Sequence, residues 1–365
     1  MKKIIKINKN NDYRIVVISD IHGGLDLLKR LISKVSLKKE DYLIILGDTL
    51  QRGSQNIETL EYMKKLSNRQ NTIILSGNHE RYILSLLDEK RCEKLDYHLK
   101  NIKYPCIIKE WMKELAVEYK SIDDAIEIQN KIKHRYKDEL DFMRSLPVAL
   151  EFDEFIFVHA GVENIDNWKE SKVESLLAIK RFLDLEHKSS KYVVVGHWPT
   201  QNYRHRSLSG NVIIDNNKKI ISIDGGYGVK YVGQMNALII EKKDNQIAFK
   251  SLAEDNFKTA KISKDFHIKN DNIVKLDWQD NEFEFIKKEE EFSICKKVST
   301  QEIFLLKNEF IKDISGKLSI SYDVVSLFLD VKKGEDIKVI GCFGKYVFGK
   351  CKNEIGWVKA DCVNL

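Results

Sequence analysis

The 365-residue sequence predicts an α/β fold: two mixed sheets flanked by helices, followed by a small all-β module. Three observations carry that expectation. Between residue 14 and about residue 80, short continuous apolar runs alternate with stretches that are apolar at helical spacing. Beyond about residue 147, strand-like runs return with short turns between them. The last 50 or so residues break into short strands joined by Gly- and Lys-containing turns.

The first predicted strand is Arg14–Ser19, and the helix after it is Leu25–Ile32. Strand Tyr42–Leu46 leads to helix Ile57–Leu66, and strand Thr72–Leu75 to helix Tyr82–Leu87. Strands this uniformly apolar belong to βαβ units, where helices cover both faces of the sheet. Ligands gather beyond the carboxyl ends of such strands, which is where Asp20, Asp48 and Asn78 fall. Residues 88–147 are polar and rich in Lys and Glu, with amphipathic stretches at Trp111–Ala116 and Ile126–Ile132. They read as an inserted helical cap, or else as a plain helical layer of the fold. Strands follow at Ala149–Phe152, Phe155–Val158, Tyr192–Val195, Val212–Ile214, Ile220–Ile223 and Asn236–Ile240. The expected domains are therefore a core at 1–255, a connector at 256–310 and a β domain at 311–365.

Lys plus Arg number 61 against 55 Asp plus Glu, an excess that permits an anionic partner but does not indicate nucleic acid. The N-terminus, Met1–Asn8, has basic residues without an apolar core, and no run approaches a membrane span. A cytoplasmic protein is expected. Six cysteines without a Cys-x-x-Cys pair fit that compartment. Cys295, Cys342, Cys351 and Cys362 crowd the last quarter; buried thiols are the preferred reading over a zinc site, because tight ligand spacing is missing.

Five apolar runs each end in metal-ligand residues: Asp20 and His22, then Asp48, then Asn78-His79-Glu80, then His159, then His197. An i, i+2 pair at a strand end points one way, so Asp20 and His22 can reach one cation. The two oxygens of Asp48 can bridge two ions. Mixed oxygen and nitrogen donors suit Mn²⁺, Fe or Zn²⁺ better than Ca²⁺. Gly47, Gly77 and Gly196 let the chain turn sharply where the strands stop.

The order Asp-x-His, Gly-Asp, Gly-Asn-His-Glu, His-Ala-Gly, Gly-His resembles the calcineurin-like metallophosphoesterases over residues 14 to about 240. Gly47–Gly53, reading Gly-Asp-x-x-x-Arg-Gly, is most similar to the phosphoprotein phosphatase branch. Ser19–Gly23 and Ile223–Gly226 look like its bacterial members. The resemblance implies a β-sandwich fold and two divalent cations. Asp20, His22 and Asp48 would hold one, and Asp48, Asn78, His159 and His197 the other. It implies His79 as the acid that protonates the leaving group and Arg52 as a phosphate clamp, whose planar fork suits two phosphate oxygens. In the C-terminal part, Lys332–Val339 and Gly356–Val363 resemble SH3-like barrels, implying a docking module for a peptide or protein, with Tyr322 and Trp357 as candidate ligand-facing aromatics.

Two departures stand out. The family has an acid where this chain has Gln51, and that acid pairs with the catalytic histidine; a neutral amide supports an imidazolium less well. Bacterial relatives carry a Leu-Leu-Trp-Ile-Arg type segment where this chain has Leu176–Arg181. There Lys180 takes the phosphate-binding Arg position, with Arg181 beside it as the alternative. Asp224 is a candidate supporting or turn residue. Tyr203, Arg204 and Arg206 are candidates for the substrate mouth, and His98, His134, His187, His205 and His267 are expected at the surface. The implied function is hydrolysis of phosphate monoesters on protein. The alternatives are hydrolysis of dinucleoside polyphosphates or other small phosphorylated metabolites, and an inactive phospho-ligand binding protein.

Overall fold

Among the described residues, eleven strands and eight α-helices build the part of the chain that carries the motifs. The strands are β1 (Ile4–Ile7), β2 (Tyr13–Ile18), β3 (Tyr42–Ile45), β4 (Thr72–Ile74), β5 (Ala149–Phe152), β6 (Phe155–Val158), β7 (Tyr192–Val195), β8 (Ile213–Asp215), β9 (Ile220–Ser222), β10 (Met235–Lys243) and β11 (Gln246–Glu254). The helices are α1 (Leu25–Val35), α2 (Asn56–Ser67), α3 (Asn78–Asp88), α4 (Glu93–Asn101), α5 (Ile107–Glu114), α6 (Ile122–Arg135), α7 (Lys137–Ser145) and α8 (Val173–Ala178). This computed structural model describes residues 3–9, 11–269, 272–314 and 316–365. The chain forms two units: Met1–Thr200, Val212–Val229 and Gln234–Asp255 make the first, and Gln201–Asn211, Lys230–Gly233 and Asn256–Leu365 the second.

In the first unit one sheet runs β11-β10-β2-β3-β4, and the other β1-β5-β6-β7-β9-β8. Strands β2, β3 and β4 are mutually parallel, as are β6, β7 and β9. Side chains on a strand alternate between faces. Ile15 and Val17 therefore join Phe155, Phe157, Val194 and Leu238 in one core between the sheets. Val16 and Ile18 face the other way, onto Leu27, Leu28 and Leu31 of α1. On the outside of the second sheet, Ile156, Val158 and Val193 meet Leu176 of α8. The insert has its own core: Leu95, Ile107, Trp111, Ile128 and Ile132 pack with Leu50 and Leu60.

The second unit is all-β among its described residues, apart from short 3₁₀ turns. It adds β12 (Lys258–Ile262), β13 (Lys275–Leu276), β14 (Phe283–Lys287), β15 (Phe292–Lys297), β16 (Ile303–Lys307), β17 (Ile311–Ile314), β18 (Lys317–Ile320), β19 (Val324–Val325), β20 (Asp336–Phe343), β21 (Tyr346–Cys351), β22 (Glu354–Lys359) and β23 (Val363–Asn364). The largest sheet runs β22-β21-β20-β12-β23. Residues 256–310, expected as a connector, thus contain five strands, and β12 pairs with β20 and β23 across the expected boundary at 311. Strands such as Lys258–Ile262 and Phe283–Lys287 bury few side chains, so their sequences lack the apolar signal of a strand. Trp357 is fully buried and donates its indole N–H to the Val325 carbonyl at 3.1 Å, so it is a core residue and not a ligand-facing aromatic. Tyr322 is half exposed and stacks on Tyr231. The cysteines are free, and among the described residues none joins a group of metal-binding side chains.

Candidate metal centre

The parallel register of β2, β3 and β4 brings the residues that follow them to one rim, and β6 and β7 do the same from the other sheet. The Asp20 N–H donates to the Gly47 carbonyl at 3.2 Å and the His22 N–H to the Asp48 carbonyl at 3.0 Å, tying the first two ligand loops together. The strands stop before the ligands do. Asp20, His22, Asp48 and His197 all have positive φ, between 47° and 66°. The strand-like i, i+2 geometry expected for Asp20 and His22 is therefore absent; a left-handed turn sets their relation instead. Backbone strain of this kind persists only where surrounding contacts enforce it. A Cβ on Gly77 would lie 2.2 Å from Asp48 Oδ1, and one on Gly196 would lie 1.9 Å from Ser19 Oγ. These glycines are there for close approach.

Two groups of side chains have ligand atoms within 4.8 Å of one another: His22, Asp48 and His79, and Asp48, His159 and His197. Asp48 belongs to both. Its Oδ2 lies 3.3 Å from His159 Nε2 and 3.8 Å from His79 Nε2. Asn78 Oδ1 lies 2.9 Å from His159 Nε2, so the amide also faces the second group. His159 Nδ1 lies 2.9 Å from the Leu46 carbonyl and His22 Nδ1 lies 3.3 Å from the Leu50 carbonyl. A carbonyl can only accept, so each Nδ1 carries a proton and Nε2 is the nitrogen that would face a cation. Asp20 is in neither group. Its Oδ1 is 4.0 Å from His22 Nε2, and its carboxylate accepts the His197 N–H and the Ser19 hydroxyl. His79, expected only as an acid, sits with His22 and Asp48 and its ring is edge-on to His22.

The electrostatics are those of a site built for positive charge. Burial pushes His22 down to about 3, with His79 adding to the shift, and pushes His197 down to about 4, with His159 adding. Burial lowers His79 as well. His159 goes the other way: burial opposes its charge, yet the Asp48 and Asp20 carboxylates raise it to about 10. Burial raises Asp20, whereas the neighbouring His159 and His79 carry Asp48 well below the usual carboxylate range despite its burial. Ionised Asp48 and neutral His22, His79 and His197 are in the forms that bind metal, whereas His159 would have to give up its proton to a cation. The donor set thus fits two divalent cations.

Gln51 and Arg52 lie on the turn after Asp48. Gln51 is fully buried, and neither of its amide atoms has a hydrogen-bond partner; His79 Nδ1 is likewise buried and unpartnered. The Arg52 guanidinium lies over the Tyr104 ring, 5.1 Å from its centroid. Lys180 is not on a helix, because α8 ends at Ala178, so the expected helical spacing of Lys180 and Arg181 does not apply. Lys180 is exposed, and Arg181 Nε pairs with Asp184 at 2.5 Å. Arg204 donates to the Ser209 and Asn211 carbonyls, and Arg206 pairs with Glu302. Asp224 is buried, accepts the Gly226 N–H at 2.7 Å and is raised by burial and by Asp20.

Glu80, grouped with the strand-end ligand residues in the sequence, and Asn56 and Glu110, given no role there, support the centre. Glu80, fully buried, accepts the N–H groups of Asp48, Thr49 and Gly77. Its place in Gly-Asn-His-Glu was the available signal. Asn56 and Glu110 brace the Arg52 turn and carried no signal, since both lie outside the motifs. His98, expected at the surface, is fully buried between Tyr82 Oη and Cys106 Sγ. No helix among the described residues is long and apolar enough to cross a membrane.

The two packed sheets, with Asp, Asn and His side chains gathered at one rim, are those of the metallophosphoesterase class. Residues 13–232, more than half of the chain, match the family described as calcineurin-like phosphoesterase, and the protein belongs to that family. A symmetrical bis(5'-nucleosyl)-tetraphosphatase of Hamiltonella defensa is 37% identical over 71 residues, 19% of this chain and 25% of that protein. The chain spans between a quarter and less than half of the length of the tetraphosphatases it matches. An uncharacterized protein of Methanocaldococcus jannaschii is 26% identical over 242 residues, 64% of this chain and 84% of that one. A solved serine/threonine phosphatase from Saccharomyces cerevisiae aligns with a TM-score of 0.41 at 14% identity, over 68% of this chain and 84% of that one.

Proposed function

We propose that this protein hydrolyses phosphate monoesters on protein with two divalent cations, Mn²⁺ first, with Fe or Zn²⁺ as alternatives. The observation that carries the reading is Asp48, whose one carboxylate is common to both groups of donors. His22 and Asp48, with Asp20 beside them, would hold one cation; Asp48, Asn78, His159 and His197 would hold the other. Such a pair supplies Lewis acidity toward phosphoryl oxygens and an activated water. The chain's own residues do the rest. The carbonyls of Leu46 and Leu50 keep His159 and His22 in the tautomer that presents Nε2. Arg52 neutralises the non-bridging phosphate oxygens. His79, beside Asp48, delivers a proton to the leaving oxygen.

One observation favours a second reading, hydrolysis of dinucleoside polyphosphates. Gln51 stands where the resemblance puts an acid, and a nucleotide leaving group departs as a stable oxyanion needing little protonation. The partial match to proteins named bis(5'-nucleosyl)-tetraphosphatase agrees with it. A panel of phosphopeptides and nucleotides assayed with Mn²⁺ separates the two. Phosphopeptide turnover well above nucleotide turnover supports the first reading; the reverse order supports the second. An Asp48→Asn variant with wild-type activity would refute metal catalysis here.

We also propose that residues 311–365 form an SH3-like barrel; the antiparallel pairing of β20, β21 and β22 supports it, and β12, from outside those bounds, pairs with the same sheet. Hydrogen exchange in which β20, β21 and β22 open as one unit tests it; independent opening of any of the three refutes it.

A further inference from the structure

We propose that Tyr104, in the segment between α4 and α5, is a positioning residue that sets the Arg52 guanidinium for phosphate; this rests on reading Arg52 as the phosphate clamp. Within the turn that carries Arg52, the Gly53 N–H donates to the Gln51 carbonyl at 3.0 Å. Gln51 and Arg52 are consecutive side-chain-bearing residues at φ 76° and 74°, a conformation disfavoured for L-residues and rarely adopted twice in succession. Much of what holds the turn comes from the helical insert. The Arg52 N–H donates to the Pro105 carbonyl at 2.8 Å. The Gln51 N–H donates to Asn56 Oδ1 at 2.5 Å. Asn56 is fixed in turn by Glu110 of α5, whose Oε1 accepts its Nδ2 at 2.6 Å and whose Oε2 accepts the Ile57 N–H at 2.9 Å.

The guanidinium is held differently from the backbone. Arg52 Nε is buried and has no hydrogen-bond partner, and among the described residues Arg52 makes no ion pair with a carboxylate. What faces it is the Tyr104 ring, 5.1 Å from Cζ. A ring face attracts a cation through its quadrupole without neutralising it. An acidic partner would have spent the charge that the phosphate needs; an aromatic one fixes direction and leaves the charge available. The insert therefore reaches the phosphate through Arg52, and Tyr104 itself need not touch substrate.

The test uses the intact protein with Mn²⁺ and inorganic phosphate as the competitive probe. Tyr104→Ala is expected to weaken inhibition by phosphate about tenfold, raise KM for p-nitrophenyl phosphate in step, and leave metal content unchanged. Tyr104→Phe, which keeps the ring face, stays within about twofold of wild type. In an Arg52→Ala background, Tyr104→Ala changes nothing further. Wild-type phosphate inhibition in Tyr104→Ala overturns the proposal, as does the same loss in the Arg52→Ala background. Should Tyr104→Ala fail to fold, Tyr104→Leu keeps the bulk without the quadrupole and must behave as the alanine variant was expected to. If Arg52→Ala alone leaves phosphate binding intact, the clamp reading itself is wrong; if it weakens binding while Tyr104→Ala and Tyr104→Leu do not, only the positioning role is.

Discussion

Replacing Glu80 by Gln tests what keeps the ligand loops in place. Glu80 Oε1 accepts the Thr49 N–H at 2.8 Å and the Thr49 hydroxyl at 2.9 Å, and Oε2 accepts the N–H groups of Asp48 at 3.0 Å and Gly77 at 2.7 Å. The side chain is fully buried, so water cannot substitute. Glu80→Gln keeps the shape but turns one oxygen into an NH₂ that faces donors. The Thr49 hydroxyl can rotate to accept; a backbone N–H cannot. At least one buried N–H is stranded, at about 1–3 kcal/mol. The bonds to the remaining oxygen fall from charge-assisted to neutral strength, at about 1 kcal/mol each. The expected loss is about 3–5 kcal/mol, felt first as local opening around Asp48. Hydrogen exchange at the Thr49 and Gly77 amides reads that opening directly, with exchange faster by about a hundredfold or more. Wild-type protection at these amides would sink the argument that one carboxylate fastens two ligand loops.

Two further outcomes follow from buried polar groups. Gln51→Asp restores an acid at a fully buried, unpartnered position and should raise phosphomonoester turnover about tenfold, read as kcat; unchanged turnover removes the idea that the amide weakens His79. His98 is lowered to about 4, by burial first and then by Lys109 and His79. The unfolded chain takes up a proton near the ordinary value of 6.5 and the folded chain resists until about 4, so stability is full above 6.5, falls as pH drops through this window and is lost below it. The loss is about 3 kcal/mol, and His98→Gln should flatten the slope of urea stability between pH 4 and 6.5; an unchanged slope places the pH dependence elsewhere.

Much of the strand-end geometry was legible because parallel strands buried on both faces leave uninterrupted apolar runs. Tyr192–Val195 and Phe155–Val158 announce themselves, and His159 and His197 follow directly. β1 and β11 left weaker signals, since Ile4–Ile7 and Gln246–Glu254 are only partly buried edge strands. The ligand residues were legible as types, but their left-handed backbone was not, because no local pattern announces positive φ at Asp20 or Asp48. Nor was the bracing of Arg52, which depends on Tyr104, Pro105 and Glu110 returning from some fifty residues away. In the second unit, largely exposed strands such as Lys258–Ile262, with a single buried side chain, read as linker until their partners were visible.

The second unit is not a tail. Leu208 and Val232, from short segments embedded in the metal-site half of the sequence, are buried in the same core as Phe310, Phe348 and Trp357. A stop codon at residue 256 would strip those two side chains of their surroundings and leave them bare eleven residues past His197 and four past Gly228. The gene is therefore poorly suited to losing this module by truncation or trading it by recombination at one joint. Whatever the β unit contributes, it was woven in at three places, and it is inherited and expressed together with the first unit.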